Sequence, residues 1–463
     1  MNEYPVLPAQ FLETMKQQLG ESEWDHFLQA LQQPAPVSIR LNPFKGMPAP
    51  ANGQAIGWSS HAYRLPARPN FTLDPCFHAG AYYVQEASSG FLSHVLNQLA
   101  LPEAPFALDL CAAPGGKSTL ISSFLGDKGL LLANEVIKSR NQVLKENTIK
   151  WGLGNTVITQ NDPAHFAPLS ESFDFVLVDA PCSGEGLFRK DPQSIQEWSP
   201  ENVHLCQGRQ SRILQEAAAL PKPGGYLIYS TCTYNPLENE GNVRFLAANF
   251  GYKPVEIPID PAWQISRSEC KTEQGVFPVY RFYPHKVPGE GLFMAVLQRP
   301  PSEANEKSPK KAKDFRHPHL QRLPGKVRNH PSFPKLDVPE PLSYYQYNNH
   351  LFALPSRWVP RFETIAIRLN VQYFGVELGD WVRDTFLPGP AWALSMLPKS
   401  SYAREELTRE EAIRYLKKEP IALSKADRGW VLVNYKGLGI GWVKNLGNRS
   451  NNYYPKEWRI RMD

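Results

Sequence analysis

The strongest constraint on this chain is an alternation between Pro105 and about Arg299. Short, almost uninterrupted apolar runs are separated there by longer stretches of helical or loop character. Phe106–Leu110, Gly129–Glu135, Asn155–Gln160, Phe173–Ala180 and Gly225–Thr231 read as strands, and each of the first four is followed by such a stretch. A strand that is apolar on both faces has to be covered on both faces. The pattern therefore predicts an α/β fold with a parallel sheet between helical layers. Upstream, the apolar spacing of Phe11, Leu12, Met15, Leu19, Trp24, Phe27, Leu28 and Leu31 predicts helix from Ala9 to about Gln33, ended by Pro34. A mixed stretch to about Leu99 holds a strand-like Val37–Leu41 and a helix over Glu86–Leu96.

Downstream, residues 300–341 are rich in Pro, Lys, Ser and His and read as a linker. The tail carries short strands, Trp430–Tyr435 and Leu438–Lys444, among many aromatics, and reads as a small β-rich module. The 463 residues thus divide into an N-terminal region (1–100), an α/β domain (101–300), a basic linker (301–343) and a C-terminal module (344–463).

An apolar content of 42% and a charged content of 21% exclude wholesale disorder. No apolar run reaches the roughly 18 residues of a membrane span, and the start MNEYPVLPAQF lacks the pattern of a secretory signal. Six cysteines (Cys76, Cys111, Cys182, Cys206, Cys232, Cys270) are scattered without metal-binding or disulfide spacing. They are expected to be free thiols in a cytoplasmic, monomeric protein without a metal. The net charge of +5 says little. Between Lys307 and Lys335, however, nine Lys or Arg residues face a single acid, Asp314, a composition that attracts phosphate backbones.

The run Leu108-Asp109-Leu110-Cys111-Ala112-Ala113-Pro114-Gly115-Gly116-Lys117-Ser118-Thr119 passes from strand through a tight turn into helix. This is the first βα turn of a Rossmann-like sheet, whose ligands sit beyond the carboxyl ends of the strands. A P-loop would need Gly five residues before Gly116, where Cys111 stands, and the GxGxxG of a dinucleotide fingerprint is absent. What remains is a turn of small residues that lets a ligand approach the backbone. The second strand ends at Asn134-Glu135, where nucleotide folds hold ribose hydroxyls. The third ends at Asn161-Asp162, placed to accept from an adenine amino group. The fourth and fifth strands run into Asp179-Ala180-Pro181-Cys182-Ser183-Gly184-Glu185-Gly186 and Ser230-Thr231-Cys232-Thr233-Tyr234. Two thiols in polar turns beside the cofactor cleft fit poorly with inert packing.

Together LDLCAAPGGKST, VDAPCSGEG and YSTCTYNPLENE closely resemble the Nop2/Sun family of RNA cytosine-5 methyltransferases. SIRLN, GAYYVQEASS and RFYPHKVPGEGLFMAVL are similar to further family segments. The tail GIGWVKNLGNRSNNYYPKEWR resembles the C-terminal module of bacterial RsmF-type 16S ribosomal RNA enzymes, so the likeness spans nearly the whole chain. The resemblance implies a class I methyltransferase domain, S-adenosylmethionine as cofactor and 16S rRNA, within the small ribosomal subunit, as partner. Carbon 5 of cytosine is a poor nucleophile until a thiolate has added to carbon 6. By resemblance Cys232 makes that attack, Asp179 hydrogen-bonds the cytosine edge near N3, and Cys182 serves the release step. Carried over likewise, Cys111, Ala112, Ala113, Pro114, Gly115, Gly116 and Lys117 line the methionine part of the cofactor. Glu135 holds the ribose, Asp162 lies near adenine, and Arg140 matches a family arginine.

DNA cytosine-5 methyltransferases pair a Pro-Cys nucleophile with Glu-Asn-Val, and Pro181-Cys182 and Glu201-Asn202-Val203 mimic both. Ser199-Pro200-Glu201 reads better as a helix start. The tail residues Lys436, Lys444, Arg449, Tyr453, Tyr454, Lys456, Trp458, Arg459 and Arg461 mix bases and aromatics, as an RNA-stacking surface or as the core of a PUA-like barrel. An inactive RNA-binding scaffold would have no need of both cysteines. A protein or small-molecule methyltransferase predicts neither the thiol pair nor the flanking RNA-binding parts.

Overall fold

The computed structural model describes residues 7–301, 315–325, 333–334, 336, 338–382, 385–423 and 427–462. Its centre is the expected sheet. Strands β1 (Phe106–Asp109), β2 (Leu130–Asn134), β3 (Thr156–Thr159), β4 (Phe173–Asp179) and β5 (Pro221–Thr231) are mutually parallel. An antiparallel extension, β6 (Ser266–Thr272), β7 (Gly275–Phe282) and β8 (Leu292–Gln298), continues from β5. Helices α1 (Gly116–Leu125), α2 (Lys138–Trp151), α3 (Pro200–Ala217) and α4 (Glu240–Phe250) belong to the same domain. The sheet has ten strands: the main order is β6-β7-β8-β5-β4-β1-β2-β3, followed by an unexpected strand from the tail, β9 (Val371–Phe374), while the short Lys253–Pro254 strand pairs with β8 beside this path. It pairs antiparallel with β3, Val371 opposite Thr159, and so covers an edge that would otherwise present unpaired backbone groups.

β1 to β4 read as apolar runs because they are buried on both faces; Leu108, Leu131, Val157, Val176 and Leu177 are all fully enclosed. The antiparallel extension was not read from sequence. Its first strand, with burial falling mainly on Cys270, gives no apolar run.

The N-terminal helical stretch is two helices rather than one, Ala9–Leu19 and Glu21–Leu31, because Gly20 takes φ 74° between them. Phe11, Met15 and Phe27 pack on Phe188, Trp198, Tyr234 and Tyr283, against the turns that carry the two candidate cysteines. A four-stranded antiparallel sheet follows, containing Val37–Leu41, and the next helix runs Phe91–Gln98 after a short 3-10 turn.

The tail differs from the single module expected over 344–463. Its strands form two sheets: a five-stranded one from Leu320–Arg322 to Thr385–Pro388, and a four-stranded one from Ala403–Glu406 to Ser450–Asn452. The strand Leu320–Arg322 pairs with Leu342–Tyr347, so part of the expected linker is folded. Lys307, Lys310, Lys311, Lys313, Asp314, Lys326, Arg328 and Lys335 of the basic run lie outside the described residues. Of the tail aromatics, Tyr454 is buried at 2% exposure and Trp458 packs partly on the core, whereas Tyr453 is 40% exposed. No described helix is long and apolar enough to cross a membrane.

Candidate functional site

The carboxyl ends of β1, β2, β4 and β5 meet where the sequence places its turns. Between β1 and α1, Gly115 sits at φ 110°, a conformation L side chains rarely adopt, with Leu144 only 3.3 Å from where a Cβ would lie. The turn is braced on several sides. Ala112 N–H donates to the Asn134 carbonyl at 2.8 Å. Arg140 donates from Nη2 to the Ala113 carbonyl at 2.8 Å, while its Nη1 lies 3.4 Å from the buried Glu135 carboxylate. Asn147 donates to the Pro114 carbonyl at 2.8 Å. Arg140 therefore ties the β2 acid to the β1 turn. Cys111 is half-buried here, and burial pushes its thiol pKa up.

Sequence reasoning missed the acid at the floor of this turn. Asp109 is fully buried; its Oδ2 accepts from Ser118 at 2.6 Å and its Oδ1 has no partner. Arg40, from the SIRLN strand, was likewise not assigned. It is buried across the domain boundary, with Nη2 donating to Thr119 at 2.7 Å and Nε to Gln85 at 2.6 Å. Its guanidinium stacks 4.4 Å over Trp151, and burial lowers its pKa to about 9.

Asp162, just past β3, caps a 3-10 turn by accepting from Ala164 N–H at 3.1 Å and meets Arg212 of α3 at 3.1 Å. That backbone bond and Arg212 hold its carboxyl below the ordinary range even though part burial opposes them. Lone pairs remain on both oxygens for a further donor.

In β4 and β5, Asp179 lies opposite Ser230 in register, and Ser230 donates to its Oδ1 at 2.6 Å. The other oxygen meets Lys117 Nζ at 2.7 Å. Burial pulls the Lys117 ammonium down, but Asp179 outweighs it and the net shift is upward. Immediately beyond, the Cys182 and Cys232 sulfurs stand 3.0 Å apart, a hydrogen-bond distance and not the roughly 2.05 Å of a disulfide. Cys232 N–H also donates to Cys182 Sγ at 3.3 Å. The bond to Cys232 pushes the Cys182 pKa well above the ordinary thiol value, and burial adds to it. Cys182 therefore keeps its proton well above the pH at which an ordinary thiol would lose it.

Two further acids inside the quoted motifs were given no role from sequence. Glu185 and Glu238 are almost completely buried, and their bonds run between the cysteine turns. Their place within a few residues of the thiols was the available signal. The Glu-Asn-Val segment is a helix start, as expected: Ser199 Oγ accepts from Asn202 N–H at 3.1 Å at the head of α3.

The cleft suits a nucleotide-linked amino acid bearing a sulfonium. It offers carboxylates at four strand ends, an open backbone turn, and in Asp109 Oδ1 a buried acceptor awaiting a donor.

Family models agree with this layout. One described as 16S rRNA methyltransferase RsmB/F matches residues 96–298. The N-terminal domain of 16S rRNA methyltransferase RsmF matches 7–87, and the methyltransferase RsmF PUA domain matches 404–460. Ribosomal RNA small subunit methyltransferase F of Escherichia coli (strain K12) is 31% identical, over 97% of this chain and 96% of its own. The protein of that name from Aliivibrio fischeri (strain MJ11) is 29% identical over the same shares. Among solved structures, a methyltransferase homolog from Pyrococcus horikoshii aligns with TM-score 0.50 at 25% identity, covering 63% of this chain and 95% of its own. NSun6 from the same organism, solved with SFG, aligns at 0.53 and 22% identity, covering 64% and 99%, and shares the fold. The chain belongs to the RsmB/F family of S-adenosylmethionine-dependent 16S rRNA methyltransferases.

Proposed function

We propose that the protein methylates carbon 5 of cytosine in 16S rRNA of the small ribosomal subunit, with Cys232 as covalent nucleophile and Cys182 as the residue of release. The observation that carries this reading is the thiol pair itself, two sulfurs 3.0 Å apart just beyond the ends of β4 and β5 and next to Asp179. Cys232, as thiolate, adds to carbon 6 of a cytosine lifted from its stack. Asp179, with the Lys117 ammonium 2.7 Å behind it, accepts from the cytosine edge, from the exocyclic amino group and from N3–H once N3, made basic by thiolate addition, has taken a proton from solvent. The cofactor supplies an electrophilic methyl to the activated carbon 5. Cys111 to Lys117, Glu135, Asp162 and Arg140 would hold it or brace its turn.

Addition consumes the Cys232 thiolate and with it the acceptor that keeps Cys182 protonated. Cys182 can then give its proton to solvent, take the one on carbon 5, and allow the Cys232–carbon 6 bond to break. The N-terminal region and the C-terminal module grip flanking RNA, through exposed groups such as Tyr453 in the tail.

Bisulfite sequencing of 16S rRNA with and without the gene should lose 5-methylcytosine at a defined position, and purified protein should label 16S rRNA but not transfer RNA. Cys232→Ala should form neither product nor adduct. Cys182→Ala should accumulate a protein–RNA adduct that survives denaturing electrophoresis. An adduct with Cys232→Ala instead would exchange the two roles, and label in transfer RNA alone would overturn the substrate.

A further inference from the structure

Thiols on separate strands stay 3.0 Å apart only if their turns are tied, and the ties here are reciprocal. From the Cys182 turn, Glu185 reaches across: its Oε2 accepts from Tyr234 N–H at 2.9 Å, two residues past Cys232. From the Cys232 turn, Glu238 reaches back: its Oε2 accepts from Ser183 N–H at 3.0 Å, directly after Cys182. Ser183 and Thr233, the residues following the two cysteines, join their hydroxyls at 3.0 Å, and Ser183 Oγ also donates to Glu238 Oε1. Gly186 N–H donates to the Cys232 carbonyl at 2.9 Å. Each carboxylate has an outer anchor, Trp198 Nε1 on Glu185 at 3.0 Å and Gln210 Nε2 on Glu238 at 2.7 Å. No Lys, Arg or His is among these partners. Two almost fully buried carboxylates held by neutral donors alone are costly to keep unless they do something a neutral side chain cannot.

We propose that Glu185 and Glu238 are positioning residues, a crossed carboxylate clasp that fixes the separation of Cys182 and Cys232 and so times release of the methylated product. Neither touches the reacting atoms. Each acts through the backbone next to a cysteine, and the requirement is for acceptors only. A glutamine of the same shape turns one acceptor into an NH2 donor that faces another donor, so it should open the clasp without leaving a cavity. The proposal rests on the covalent mechanism above, and its test separates the two.

The direct measurement is the initial rate at which diamide, a thiol oxidant that is itself reduced to the hydrazine, joins Cys182 to Cys232. Mass spectrometry of the linked peptides reads that rate without any reference to catalysis. Glu238→Gln and Glu185→Gln should slow it by on the order of tenfold or more, since the rate depends on sulfur placement. In turnover, both variants should keep the wild-type KM for cofactor, lose kcat, and accumulate the denaturation-resistant adduct seen with Cys182→Ala. Ser183→Ala, which removes one hydroxyl from the same junction, should show the same pattern more weakly. Unchanged disulfide rates would overturn the clasp, and slowed rates with normal kcat would overturn its part in timing release. Loss of cofactor binding together with a lowered melting temperature in all three variants would reduce the acids to a folding role. If Cys182→Ala itself traps no adduct while the disulfide rates still fall, the covalent mechanism fails and the clasp stands as geometry alone.

Discussion

Asp109 shows how far a single side chain departs from its ordinary chemistry here. Burial, with Asp179 adding to it, raises its pKa to about 7 against the pull of Ser118. In the unfolded chain the same carboxyl titrates near 4. Below about pH 4 both states hold the proton and its stabilising contribution is complete. Between about 4 and 7 the unfolded chain gives up a proton that the folded one keeps, so the contribution is progressively lost as pH rises. Asp109→Asn has no such term. Urea unfolding of the cofactor-free protein at a series of pH values should show the variant gaining on the wild type from about pH 4 to 7 and holding level above; a constant difference would refute the shift. Cys182, Cys232, Asp179 and Lys117 could be named as candidates because each stands in a motif of its own, and the fold brings them together beyond β4 and β5. Asp109, Arg40, Glu185 and Glu238 could not be so named. Arg40 matters through Thr119, and Glu238 through Ser183, partners far away in the chain.

At the scale of elements, the parallel strands were readable because burial on both faces writes an apolar run. The outer strand β6, buried only at Cys270, and the four-residue edge strand β9 were not, because a strand at a sheet edge need not be apolar on both faces. The break at Gly20 was hidden for a related reason: both helices bury the same side against the cysteine turns, so the apolar period continues across it. Glycine positions sort the turns by how much they can change. In the 3-10 turn Glu185–Leu187, a Cβ on Gly186 would lie 2.9 Å from the Cys232 carbonyl and 3.0 Å from that of Gly291. Both neighbours are backbone, so the turn must move. Gly186→Ala should cost about 1–3 kcal/mol as overpacking. It should also lower kcat by about a hundredfold, the usual penalty for displacing a catalytic group by an ångström. Gly208 is the control. It lies within α3 with nothing inside 4 Å, so Gly208→Ala should stabilise the protein by about 0.4–1 kcal/mol and leave kcat alone. Normal turnover by Gly186→Ala would show that the turn has slack.

The whole molecule is held together at a junction the sequence did not announce. Lys45, in the N-terminal region, donates its ammonium to three backbone carbonyls. They are Ala79 in its own region, Lys150 at the end of α2 at 2.8 Å, and Leu394 in the tail at 2.9 Å. The carbonyl of Lys150 belongs to the last turn of a helix, where the backbone carries partial negative charge. Two glycines make the approach possible. A Cβ on Gly80 would fall 1.7 Å from the Lys150 carbonyl oxygen, and one on Gly152 would fall 2.5 Å from that of Leu394. One side chain thus joins the N-terminal region, the catalytic domain and the tail, and burial, with Lys399 nearby, lowers its pKa to about 7. Lys45→Met keeps the length and removes every donor, leaving carbonyls that each cost about 1–3 kcal/mol if they stay buried without a partner. The expected result is a drop of that order and a calorimetric trace that splits, because the tail can then part from the catalytic domain before the sheet unfolds. Hydrogen exchange should show the amides of β9 and its partner β3 losing protection together while β1 and β4 keep theirs. A single unshifted transition in Lys45→Met would mean that the strand pairing of β9 alone unites the parts.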